Sequence, residues 1–92
     1  MELVWTKVAK LRRREIFIYI AADNIDAARA LDIEFQEAAS KVLKFPQIGR
    51  KGFVEGTREI VVHTNYILVY RLKDGYIQIL TIHHAARSHP LL

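Results

Sequence analysis

The apolar positions of this chain change period partway along it. Glu2 to Trp5 is a short apolar run and reads as a strand. From Thr6, a residue suited to capping, the recurrence of Leu11, Ile16, Phe17 and Ile20 predicts a helix to about Ala22. That stripe is expected to be buried and Arg12 to Glu15 to face water. The dense run Ile16 to Ile20 would also suit a strand, but its place after an amphipathic turn favours helix. Asp23-Asn24 is a stop and restart signal. Ala28, Leu31, Phe35, Ala38 and Val42 then recur every three or four residues and predict a second helix to about Phe45. Ala27, Ala28, Ala38 and Ala39 would let the two helices approach closely as a hairpin.

After Pro46 the period falls to two. Pro46 to Gly56 reads as an ordered loop carrying Gly49, Gly52 and Gly56 with Arg50 and Lys51. Strands are predicted at Thr57–His63, Tyr66–Leu72 and Tyr76–His83, turning at Thr64-Asn65 and at Lys73-Asp74-Gly75, where Asp-Gly is a strong hairpin signal. Ala85 to Leu92 is a short tail. The expected fold class is α+β in the order β-α-α-β-β-β, an antiparallel sheet with a two-helix hairpin packed on one face, and one domain over residues 1–92. Tyr66, Leu68 and Tyr70 lie on one strand face and Ile67 and Val69 on the other. The side away from the helices is therefore also apolar, which points to a partner.

Composition narrows the classes. Half of the 92 residues are hydrophobic and two are proline, so the chain can fold around a core. It has no cysteine, which excludes disulfide and thiolate chemistry and suits a reducing cytoplasm. No apolar run is long enough to span a membrane, and the N-terminus lacks the order of a signal peptide. The formal net charge is +4. Eight basic and seven acidic residues precede Gln47, and six basic and three acidic follow, so the bias lies with the sheet-forming half. An anionic partner is favoured.

All four histidines fall between His63 and His89. His83 and His84 are adjacent and point to opposite faces of a strand, and no carboxylate spacing completes a metal set. Neither a metal nor a cofactor is expected. Gly49-Arg50-Lys51-Gly52 lacks the spacing of a phosphate loop. Metal-free RNA cleavage is the chemistry these residue types could support. The 2′-hydroxyl attacks the neighbouring phosphate, histidine serves as acid or base, and arginine stabilises the charge on phosphorus. The candidate groups are Arg58, His63, Arg71, His83 and Arg87. Each also has a plain reading: Arg58 as a clamp on the glycine-rich loop, Arg71 as an edge charge, His63 as a turn residue. Arg12-Arg13-Arg14 reads as an exposed helical face, and Tyr66, Tyr70 and Tyr76 as core or interface.

The order of several short stretches resembles the RelE/ParE superfamily of toxins from bacterial type II toxin–antitoxin pairs, its ParE-like branch most of all. They are Val4-Trp5-Thr6, Arg14-Glu15-Ile16-Phe17 with Tyr19-Ile20-Ala21, Asp23-Asn24, Phe45-Pro46 and Gly49-Arg50. Further on come Gly56 to Val61, Asn65 to Arg71, then His83, Arg87 and Pro90. The resemblance implies a compact cytoplasmic toxin neutralised by a cognate antitoxin, an acidic protein whose C-terminal segment wraps the toxin. Operator DNA would be met only through that antitoxin. ParE-like members typically poison DNA gyrase, whereas RelE-like members cut messenger RNA on the ribosome. Where RelE-like members tend to place a catalytic arginine this chain has His63, and their C-terminal lysine, arginine and tyrosine set is replaced by His83 to Pro90. Two alternatives therefore stand beside the gyrase reading: a ribosome-dependent endoribonuclease using His and Arg groups, and a non-toxic partner-binding module derived from such a toxin. Loss of toxicity on removing Arg87 to Leu92 is the expectation if the tail engages a gyrase-like target.

Overall fold

Two polar side chains start the two helices. In the computed structural model, which describes residues 1–86, strand β1 (Glu2–Trp5) runs directly into Thr6. The Thr6 hydroxyl accepts from the Ala9 amide at 3.2 Å and opens α1 (Lys7–Ala21). Asn24 accepts from the Ala27 amide at 3.0 Å and opens α2 (Ile25–Lys44). Each side chain satisfies one of the amides that a helix start leaves without an internal partner.

The buried face of α2 is Ala28, Leu31, Phe35, Ala39 and Val42, with Ala38 half-buried beside it. Along α1 the expected stripe is corrected. Leu11 is 53% exposed, and the inward positions are Ala9, Ile16, Phe17 and Ile20. At about 100° per residue, Leu11 lies roughly 200° around the helix from Ala9 and faces outward. Arg13 falls on the inward seam, so it leaves the exposed basic face expected for Arg12-Arg13-Arg14. The run Ile16 to Ile20 is helical, and it divides, with Ile18 and Tyr19 turned to solvent.

The sheet has five strands in the order β1-β5-β4-β3-β2, where β2 is Arg50–Lys51, β3 Thr57–Val62, β4 Tyr66–Lys73 and β5 Tyr76–His84. The β3-β4-β5 meander is antiparallel, as the pattern implies. The sheet as a whole is mixed, because β1 pairs with β5 in parallel, Glu2 opposite Tyr76 and Trp5 opposite Ile79. Two residues of the glycine-rich loop form β2 and pair antiparallel with β3. Asp74 and Gly75 have φ of 53° and 80°, the consecutive left-handed pair that suits a tight hairpin between twisted strands.

The helices cover one face of the sheet. Tyr70, Phe35, Leu68, Ile77, Ile79 and Val42 have almost no accessible surface. Phe35 and Tyr66 meet edge to face at 5.7 Å between ring centres. Tyr70 also anchors the glycine-rich loop: its hydroxyl donates to the Pro46 carbonyl at 2.8 Å and accepts from the Gly49 amide at 2.9 Å. A Cβ at Gly49 would lie 2.7 Å from that hydroxyl and 2.8 Å from the Glu59 carbonyl, so only glycine fits there.

Candidate functional site

The face of the sheet turned away from the helices forms an open groove of about 510 Å³. Its floor is built from alternate residues of three strands. Glu59, Val69 and Thr81 sit opposite one another in one row, and Thr57, Arg71 and Gln78 in the next. His83 lies opposite Ile67 and also lines the groove. Phe53 and Val54 of the glycine-rich loop form one wall.

A bulge in β5 places His83 there. Tyr70 pairs with Ile79 and Val69 with Thr81, so Leu80 is an extra residue. Ile77 and Ile79 face the helices. After the bulge Ile82 does so as well, and His83 faces the groove. Unbroken alternation would have turned His83 toward the core. The Thr6 hydroxyl lies 2.8 Å from the Ile79 carbonyl and 3.1 Å from that of Leu80, tying the start of α1 to the bulge.

Electrostatics within the groove are coupled. Glu59 accepts from Arg50 Nε at 3.1 Å and from the Phe53 amide at 3.4 Å, which holds the loop wall against the floor. Its side chain is 12% exposed. Arg71 Nε donates to Gln78 Oε1 at 2.7 Å. The His83 imidazole is held below its ordinary pKa of 6.5, chiefly by burial, against an upward pull from Glu59, with Arg12 adding to the depression.

The candidate groups named from the sequence divide. Arg71 and His83 meet in the groove. Arg58 lies on the opposite face of β3, where Nη1 donates to the Gly49 carbonyl at 2.7 Å and reaches that of Gln47 at 3.4 Å; it clamps the loop. His63 sits in the β3–β4 turn, exposed and with φ of 55°. His84 faces the helices and packs edge to face on Tyr66 at 5.3 Å. Arg87, His89 and Pro90 lie outside the described residues. The sequence reading missed Glu59. The signal for it was a carboxylate two residues from Thr57 and from Val61 in a strand, which assigns it to the same face as both. No group of side chains spaced to hold a metal ion occurs among the described residues.

The family profile described as "ParE toxin of type II toxin-antitoxin system, parDE" matches residues 3–89. The chain is 36% identical over 87 residues to "Putative toxin Y4kP" of Sinorhizobium fredii, covering 94% of this chain and 90% of that one. It is 33% identical over 86 residues to "Toxin RelE2" of Caulobacter vibrioides, covering 94% and 97%. Among solved structures it is similar to one titled "Chromosomal ParDE TA system from P. aeruginosa", with a TM-score of 0.81, 24% identity and coverage of 91% and 95%. That likeness bears on the fold.

Proposed function

The chain belongs to the ParE toxin family of type II toxin–antitoxin systems, and from that membership we propose that it arrests growth by binding and inhibiting DNA gyrase. It does so without bond-breaking chemistry of its own. As the toxin of such a pair it has a cognate antitoxin for a partner. A segment of that antitoxin covers the open face of the sheet in resting cells, and both act in the cytoplasm. No described helix is long and apolar enough to cross a membrane.

The observation that carries the binding reading is that two of the four described candidate groups lie away from the groove and a third is engaged within it. Arg58 is committed to loop carbonyls on the helix side, His63 stands in a turn, and Arg71 is bonded to Gln78. What the groove offers instead is an apolar surface of Phe53, Val54, Val69, Leu72 and Leu80 with cations at its margin. Such a surface favours a polypeptide that folds as it binds.

One observation favours a second reading, the ribosome-dependent ribonuclease. Arg71, His83 and Glu59 line the same groove. A His83 kept neutral near pH 7 could take the proton of an attacking 2′-hydroxyl, with Arg71 on the phosphate. The two readings separate in one pair of assays. Purified chain added to gyrase and relaxed plasmid should block supercoiling and accumulate cleaved plasmid. Undisturbed supercoiling, together with messages cut on ribosomes after induction, would reject the gyrase target. In that event Arg71→Ala and His83→Gln should each abolish message cleavage.

A further inference from the structure

A second concavity, of about 380 Å³, lies at the other edge of the sheet between β1 and the helix hairpin, lined by Trp5, Lys10, Arg13, Arg14, Phe17 and Asp32. Lys10, Arg13, Arg14 and Phe17 stand at spacings of three, four and seven along α1, which places them on one helical face. Three cations therefore gather with one carboxylate, and that carboxylate is already bound. Arg13 Nε donates to Asp32 Oδ1 at 2.6 Å, and Nη2 donates to Oδ2 at 3.0 Å and to the Asp32 carbonyl at 3.3 Å.

The same guanidinium lies over the Trp5 ring, 4.7 Å from its centre. Arg13 is thus fixed in plane and orientation by two elements other than its own. Its Nη1 keeps both protons without a hydrogen-bond partner among the described residues. Lys10 and Arg14 flank it, and neither forms an ion pair among the described residues. Arg12, by contrast, is engaged by Glu15 at 2.8 Å. A preorganised guanidinium with an open donor edge, two uncommitted cations beside it and an aromatic floor is the donor set that recognises a phosphodiester.

We propose that this pocket binds the phosphate backbone of nucleic acid, giving the toxin a direct contact that does not pass through the antitoxin. A contact to the backbone positions the protein on nucleic acid and carries no base readout of its own. It stands whether the cellular target is gyrase or the ribosome.

Trp5 is the only tryptophan in the chain, so its emission reports on this pocket alone. A short DNA duplex titrated into the full-length toxin at low salt should quench Trp5 saturably, and salt should reverse it. Lys10→Gln combined with Arg14→Gln should weaken binding about tenfold and reduce the slope of log K against log salt by about 2. Both positions are exposed, and an unchanged melting curve confirms the fold. The matched control is Lys41→Gln with Lys44→Gln, roughly 13–18 Å beyond Asp32 along α2, and it should bind as the parent does. Absent quenching, an equal loss in the control, or equal quenching by a polyglutamate peptide would each overturn the assignment.

Discussion

At the residue scale, Tyr70 and His83 show how one side chain can serve opposite ends. Tyr70 is fully buried, and its hydroxyl holds both the Pro46 carbonyl and the Gly49 amide. Tyr70→Phe keeps the ring and strips the partner from a buried amide, which costs about 1–3 kcal/mol. Chemical denaturation should show that loss with an unchanged slope. His83 carries a pH dependence. Because burial lowers its pKa in the folded chain, the unfolded chain takes up the proton first as pH falls below 6.5. Protonation then favours unfolding, so the His83 contribution to stability declines from that pH down to the folded pKa and is constant below it. His83→Gln should shallow this decline in melts recorded from neutral pH downward. Glu59→Gln should steepen it, since the Glu59 charge opposes the depression.

At the scale of elements, the joint between α1 and the β5 bulge organises the site. Thr6 caps the helix and shares its one hydroxyl proton between the two carbonyls at the bulge. Thr6→Ala removes both roles and should cost about 2 kcal/mol, the upper end for a helix cap. Thr6→Ser should recover most of it, because the hydroxyl is what both roles use. Urea titration of the three proteins checks the order. The helix hairpin was legible in the chain. The Thr6 cap, the stop at Asp23-Asn24 and the seam of α2, apart from the burial of Ala39 ahead of Ala38, follow from spacing and side-chain type alone. The seam of α1 was not, since Leu11 and Arg13 changed places. Arg13 turns inward because Asp32 and Trp5 await it there, and neither is a neighbour in sequence.

On the whole-molecule scale, the first strand closes the sheet against the last. β1 lies in parallel beside β5, and Leu3 and Trp5 pack on the core from that edge. Deleting residues 1–5 would leave β5 with an unpaired edge and uncover Ile77 and Ile79, each normally buried and worth about 1.5–3 kcal/mol in burial. The truncated chain should lose its cooperative melt and elute as aggregate on size exclusion. Parallel pairing of chain ends cannot be read from local pattern, because nothing in Glu2 to Trp5 specifies which strand lies beside it. The candidate site shares that limit. Arg71 and His83 were named from residue type, yet their meeting, and the exclusion of Arg58 and His63, needed the register.

The amino-acid sequence alone determined the kind and order of elements, the hairpin turn at Asp74-Gly75, the apolar character of both strand faces and the family, because these rest on periodicity, capping chemistry and short local motifs. Tertiary structure alone decided which groups of different strands share a face. One extra residue, Leu80, resets the alternation of β5, and side chains distant in sequence hold Arg58 to a loop and Arg13 to a pocket. Strand phase and long-range polar contacts are properties of the assembled sheet, and no single segment carries them.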